Sequence, residues 1–229
     1  MELNQPSYLH IPQLLTAEEL SLIQQIAEQA QFQDGKLTAK DAASQVKQNL
    51  QIRAEDNIHG QQAANVIMQA MSRNPQLQSA IMPKAMLPPL ISKYQEGMNY
   101  GMHVDSPLMG TQFTIRTDVG MTLFLSEPET YEGGELLVLT ETGEQLYKLP
   151  PGDAIIYPTT KLHQVMPVTS GTRLAAITWM QCAVRDAAQR DMLYRLSQAT
   201  AAIGESGMAN EQLTLQQIYS NLVRQWAEL

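Results

Sequence analysis

Cysteine is almost missing from this sequence of 229 residues. Cys182 stands alone, so neither an intramolecular disulfide nor a Cys-built zinc or iron–sulfur site is available. His and carboxylate side chains are then the remaining metal ligands, and a reducing cytoplasm suits such a chain. Positive charge is also scarce. With 15 Lys+Arg against 23 Asp+Glu the net charge is −8, and no Lys/Arg cluster occurs. That argues against a nucleic-acid partner or an anionic membrane surface, both of which need a basic footprint. Long apolar runs are absent as well. The longest weakly polar stretch, Leu174 to Val184, is too short to span a bilayer, and the opening MELNQPSYLHIPQLL has no basic n-region or sustained apolar core. The expectation is a soluble cytoplasmic protein. At 44% hydrophobic residues, a chain of this length can bury the core of one globular domain with appendages.

Patterning divides the chain into an N-terminal helical support region (1–81), a β-rich core (82–182) and a C-terminal helical region (183–229). Behind a Thr16-x-x-Glu19 capping box, Leu20, Ile23, Ile26, Ala27 and Ala30 recur at helical spacing and predict a helix from Thr16 to Phe32. A second helix is expected over Gln61 to Ser72, stopped near Asn74-Pro75. From Met82 to Gln181 the short runs LISKY, FTIRT, MTLFL, ELLVL, AIIYP, HQVMPV and RLAAITWM alternate with turn residues, as in a sandwich, barrel or jelly roll. Gly133-Gly134 and Pro150-Pro151-Gly152-Asp153 read as turns, Ser170-Gly171 as a tight hairpin, and Glu135 as a strand-start charge. Beyond Cys182, Met192, Leu193, Leu196 and Ala199 share one helical face, and Leu215, Ile218, Leu222 and Trp226 another. Those helices could bury a homodimer contact as readily as they cover a sheet. The fold class expected is mainly β with flanking helices.

Four histidines carry the chemical signal. His10 and His59 have no carboxylate or second His at ligand spacing and read as structural or solvent-exposed. His103 differs, because Asp105 follows at i+2 and residues two apart on an extended chain share a face. His163 is the other histidine of the β region. Two His and one carboxylate on one face of a metal leave positions open, the arrangement of non-haem Fe(II) oxygenases. Arg173 lies ten residues beyond His163, across the Ser170-Gly171 turn, where a hairpin would set it on the neighbouring strand within reach of the metal. A guanidinium there can hold a distal carboxylate bidentately, which suggests 2-oxoglutarate chelated at the iron by its keto-acid end.

The motifs Tyr94-x-x-Gly97-x-x-Tyr100-Gly101-x-His103-x-Asp105, Gly133-Gly134-Glu135-Leu136 and Leu162-His163-x-Val165-x-Pro167-Val168-Thr169-x-Gly171-x-Arg173 resemble the PKHD-type hydroxylases, bacterial relatives of prolyl 4-hydroxylases among Fe(II)/2-oxoglutarate dioxygenases. The resemblance extends through Trp179-Met180-Gln181 into the C-terminal helices. It implies a double-stranded β-helix (jelly-roll) core, His103, Asp105 and His163 as iron ligands, Arg173 as the 2-oxoglutarate anchor, and L-ascorbate as the agent that returns oxidised iron to Fe(II). Substrates implied are a peptidyl or free amino-acid residue, with O2 as co-reactant. Tyr94 and Tyr100 are candidates for hydrogen bonding to cosubstrate or substrate, with Tyr94 assigned to 2-oxoglutarate, or else pack on half-buried strands. Ser170 departs from the basic residue that close relatives often carry before the Gly. The substrate-facing loops are expected at Ser106 to Thr114 and Glu127 to Glu132. Two other readings stand beside hydroxylation: a non-catalytic module that senses metal or 2-oxoglutarate, and a cupin-like metalloenzyme without a keto acid, in which Arg173 would have no evident role.

Overall fold

From Val168 to Cys182 one strand of 15 residues runs through the molecule, its side chains alternating between two environments. The computed structural model describes residues 8–38, 44–110 and 113–228. The N-terminal part comprises β1 (Leu9–Ile11), α1 (Ala17–Gln29), β2 (Gln33–Asp34), β3 (Lys47–Gln48), β4 (Leu50–Ile52), α2 (Ile58–Arg73) and α3 (Pro75–Ile81). Next come β5 (Pro83–Met86), β6 (Leu90–Gln95), β7 (Asn99–His103), β8 (Leu108–Met109), β9 (Ile115–Arg116), β10 (Val119–Phe124) and β11 (Tyr131–Gly133). β12 (Leu136–Thr140), β13 (Gly143–Tyr147), β14 (Ala154–Pro158), β15 (His163–Val165) and β16 (Val168–Cys182) precede α4 (Ala187–Glu205) and α5 (Ala209–Trp226).

Two antiparallel sheets face each other. The larger has the order β1-β14-β10-β16-β6-β4-β2, with β11 and β5 also paired to β16; the smaller has the order β13-β12-β15-β7-β3. Helices cover the outer face of the larger sheet. There Ala176, Met180 and Cys182 of β16, Met121 and Leu123 of β10 and Ile156 of β14 meet Ile23, Ile26, Ile67, Met71, Leu77 and Ile81 in one apolar core. Each Ile, Leu or Met among them contributes roughly 1.5–3 kcal/mol by leaving water. The alternate residues of β16, Arg173, Ile177 and Trp179, face the space between the sheets. This is the jelly-roll class expected, although helix and strand take nearly equal shares of the chain.

Helix boundaries follow local chemistry. Thr16 and Glu19 form the reciprocal capping box ahead of α1. Asn74-Pro75 ends α2, as expected, and also starts α3. Pro75 lacks the N–H that would continue α2 yet fits the first turn of a new helix, while the Asn74 side chain accepts a hydrogen bond from the Leu77 N–H at 2.9 Å. Among the described residues no helix is long and apolar enough to cross a membrane.

Three features differ from the sequence expectation. Residues before 82 supply β1 to β4, with β1, β2 and β4 in the larger sheet and β3 in the smaller, in addition to their helices. FTIRT forms only the two-residue strand β9, paired to β8. Ser170-Gly171 makes no hairpin, since β15 and β16 belong to different sheets and the chain crosses between them at Met166-Pro167. At φ +77° Gly171 lets β16 continue past that crossing alongside Tyr131. A Cβ on Gly171 would lie 2.2 Å from the Thr130 carbonyl oxygen, a backbone atom that cannot swing aside. Gly171→Ala combines that clash with left-handed strain and should cost about 2–4 kcal/mol. Denaturant unfolding should show a lower midpoint with an unchanged slope.

Candidate metal centre

Antiparallel pairing of β7 with β15 makes His103 and His163 direct register partners, so both imidazoles project from one face of the smaller sheet. Their ring centroids are 4.3 Å apart. Two residues beyond His103 the chain has left β7, and Asp105 turns its carboxylate into the same space, Oδ2 lying 3.7 Å from His163 Nε2. All three residues offer ligand atoms within 4.8 Å of one another.

Hydrogen bonds to the backbone set the tautomers. His103 Nδ1 lies 2.8 Å from the Gly101 carbonyl oxygen and His163 Nδ1 lies 2.9 Å from that of Lys161. A carbonyl only accepts, so each Nδ1 carries the proton and each neutral ring keeps its Nε2 lone pair for a metal. Burial, reinforced by His163, pushes the His103 pKa down to about 3, which keeps that ring neutral. Ring contacts add rigidity: Tyr100 stacks on His103 at 3.6 Å and Tyr157 meets His163 edge-on at 5.1 Å. Burial raises the Asp105 pKa, opposed by His163, the Trp179 indole and Lys47. Asp105 Oδ2 has no hydrogen-bond partner. Two neutral nitrogens and one unsatisfied carboxylate oxygen suit a divalent cation of intermediate hardness.

Arg173 faces this cluster from the larger sheet. It is 1% exposed, and its guanidinium carbon lies 5.3 Å from the Tyr94 ring centroid and 5.5 Å from that of Phe124. None of its three nitrogens makes a hydrogen bond. The hydroxyls of Tyr94 and Tyr131 and the indole N–H of Trp179 are likewise buried without a well-formed hydrogen bond, the indole facing Asp105 and the Tyr131 hydroxyl facing Arg173. Tyr94 is the register partner of Arg173 across β6 and β16, and burial pushes its pKa up to about 12 despite the nearby guanidinium. Buried polar groups in native proteins find partners, so this set marks a place built for a polar guest. One cavity joins both clusters.

All five residues assigned in the sequence, His103, Asp105, His163, Arg173 and Tyr94, line that one cavity. Arg173 reaches it across the gap between sheets and not along a hairpin. Tyr100 lines it too, while Ser170 is exposed beside Glu132 of β11 and Glu135 follows the Gly133-Gly134 turn. His10 is held by Asp153, Nε2 to Oδ2 2.8 Å, and does not line the cavity. Thr111 and Gln112 of the expected substrate loop lie outside the described residues.

Sequence reasoning missed Lys47, Gln51, Tyr157 and Trp179, which also line the cavity. Lys47, Asn49 and Gln51 are buried at alternate positions, a period-two polar row that reads as a solvated face unless both sheets are known. Burial lowers the Lys47 pKa to about 8, and Asp105 opposes the shift.

A double sheet enclosing a His-Asp-His cluster opposite a buried arginine belongs to a recognisable class. Residues 89–181 match the family model of the 2OG-Fe(II) oxygenase superfamily, whose members work with Fe(II) and 2-oxoglutarate. Residues 187–228 match the PKHD-type hydroxylase C-terminal domain. PKHD-type hydroxylases of Paracoccus denitrificans and Hyphomonas neptunium are 42% and 43% identical, covering 95% and 96% of this chain and 98% and 99% of those proteins. The chain belongs to the PKHD-type hydroxylase family and is an Fe(II)/2-oxoglutarate-dependent hydroxylase. Among solved structures, a Pseudomonas putida prolyl-4-hydroxylase superimposes with TM-score 0.56 at 15% identity, over 76% of this chain and 92% of that one. A Trichoplax adhaerens prolyl hydroxylase, solved with a hypoxia inducible factor peptide fragment, gives 0.58 at 16% over 78% and 85%. At those identities the likeness concerns the fold.

The neutral His103 has a consequence for acid stability. Its pKa is lower folded than unfolded, so the unfolded chain binds the extra proton between about pH 6.5 and about pH 3, and metal-free protein loses stability as pH falls through that window. The loss should be on the order of 1 kcal/mol per pH unit from this residue. His103→Asn removes the titration, so the stability difference between variant and wild type, followed by denaturant unfolding across this range, should change with pH by that amount.

Proposed function

We propose that His103, Asp105 and His163 hold Fe(II), and that Arg173, with Tyr94, anchors the distal carboxylate of 2-oxoglutarate. The observation that carries this reading is the buried guanidinium with three unmet nitrogens in the same cavity as the His-Asp-His cluster. A cupin-like site without a keto acid would leave that charge stranded, and stranded buried charge is costly. The chemistry supplied at the centre is oxidation of a substrate C–H bond to C–OH by O2, coupled to decarboxylation of 2-oxoglutarate to succinate and CO2.

Around that chemistry the chain's own residues bind, orient and exclude water. Gly101 and Lys161 carbonyls fix the imidazoles with Nε2 inward. Arg173 sets the direction in which the cosubstrate lies, and Phe124 keeps its charge dry. Tyr94 stays protonated and offers an O–H donor beside the guanidinium. The substrate in this reading is a peptidyl or free amino-acid residue, supported by the structural neighbour solved with a peptide. L-Ascorbate would keep the iron ferrous, as the family resemblance implies, in the reducing cytoplasm that one buried cysteine suits.

Truncating Arg173 removes both parallel hydrogen bonds to the carboxylate, a loss of roughly 3–5 kcal/mol. Arg173→Ala should therefore weaken 2-oxoglutarate binding several hundredfold, and Arg173→Lys less, in anaerobic titration calorimetry with Mn(II) as the inert metal. Iron content should be nearly unchanged in both. His163→Ala should instead lose stoichiometric iron, read by metal analysis of the folded variant. Equal 2-oxoglutarate affinity in all the Arg173 forms would reduce this arginine to a strand residue.

A further inference from the structure

In the larger sheet β10 runs between β14 and β16. Gly120 of β10 is the register partner of Tyr157 on one side and of Trp179 on the other. Register partners share a face, and Tyr157 and Trp179 both line the cavity, so two aromatic side chains rise from backbones roughly 10 Å apart with no side chain between them. Gly120 lacks the positive φ that would by itself call for glycine. Its use is the slot it leaves. A Cβ on Gly120 would lie 3.5 Å from Asp105 Oδ2 and 3.6 Å from the nearest carbons of the Tyr157 ring. One carbon would touch them, and a longer side chain would take the place of the carboxylate. Asp105, arriving from the end of β7 in the opposite sheet, is thus seated in a notch of the larger one.

The two walls of that notch differ. Tyr157 meets the His163 ring edge-on. Trp179 presents a polar atom: its indole N–H is buried and faces Asp105, and neither this nitrogen nor Asp105 Oδ2 has a well-formed hydrogen bond. An indole nitrogen only donates and an ionised carboxylate only accepts. Asp105 is also the one acid among the described residues lining the cavity. A bond between the two would be charge-assisted and would satisfy the buried donor. A carboxylate can give a metal one oxygen or both, and the second would occupy a position that cosubstrate or O2 needs.

We propose that Trp179 is a positioning residue: its indole N–H engages one oxygen of the Asp105 carboxylate, so that Asp105 gives the metal a single oxygen and leaves the neighbouring coordination position open. This inference rests on the functional reading above. Trp179 touches the ligand and not the reacting atoms, and Gly120 supplies the room in which the ligand is held.

The test uses the full chain with isotope-labelled tryptophan. Trp179 and Trp226 are its two tryptophans, so the proton–nitrogen correlation spectrum holds two indole signals, which Trp226→Phe assigns. Loading with diamagnetic Zn(II) should move the Trp179 N–H signal downfield and slow its exchange with water about tenfold or more, as a new hydrogen bond to an anion requires, with Trp226 as internal reference. A Trp179 signal unchanged by Zn(II) overturns the proposal. Trp179→Phe keeps an aromatic ring and drops the donor. With Mn(II) and saturating 2-oxoglutarate under nitrogen, wild type should retain metal-bound water, read by proton relaxation, and Trp179→Phe should lose it as the second carboxylate oxygen takes that position; melting curves establish that the variant is folded. Equal relaxation in the two forms overturns the proposal, because a ring that only packs acts alike with or without its N–H. Should Trp179→Phe fail to fold, the Zn(II) response of wild type decides alone. If wild type takes up no metal, or binds no 2-oxoglutarate once loaded, the functional reading falls and this proposal with it.

Discussion

A guanidinium buried to 1% exposure with three nitrogens unmet is the constraint around which this molecule is arranged. Such a group is tolerable only if the fold is stable enough to hold it in place until a guest arrives. The stabilising side of that balance is the apolar core on the outer face of the same sheet, where α1, α2 and α3 cover β10, β14 and β16. β16 links the two directly: Arg173, Ile177 and Trp179 look toward the cavity, while Ala176, Met180 and Cys182 look toward the helices. Packing on one face thus positions polar groups on the other.

Across the cavity the smaller sheet solves a different problem. Two imidazoles must be brought together neutral, correctly protonated and unable to rotate. Register pairing supplies the proximity, carbonyl acceptors supply the tautomer, and stacking against Tyr100 and Tyr157 supplies the orientation. None of this needs a metal to be formed, so the site is preorganised. Asp118 shows how a structural acid differs: Arg116 Nε at 2.7 Å and the Cys182 N–H at 2.8 Å already satisfy it, whereas Asp105 Oδ2 waits.

Much of this was legible in the sequence, for identifiable reasons. Period-two geometry makes His103 and Asp105 readable as a pair, and scarcity of histidine singles out His163. The capping box at Thr16 and Glu19 is local and appears as expected. Arg173 was placed in the right cavity by the wrong route, since a glycine in the left-handed region can mark a strand that bends past an obstacle as well as a hairpin. Lys47, Asn49 and Gln51 were illegible because alternation reveals that residues share a face without saying whether that face meets water or a second sheet. Trp179 was quoted within a motif, but its role beside Asp105 depends on which of two alternating faces of β16 looks inward.

The pairing of His103 with His163 also governs the order in which the molecule can come into being. Only His103 and Asp105 are neighbours along the chain; His163 and Arg173 arrive from later strands, and Lys47 from a much earlier one. Long-range contacts of this kind form late, after the entropy of closing the intervening loops has been met. In the proposed assignment, a nascent or partly collapsed chain therefore presents two of the three metal ligands at most. The His-Asp-His cluster comes into existence together with the closed double sheet, so on that assignment the metal is taken up by finished molecules.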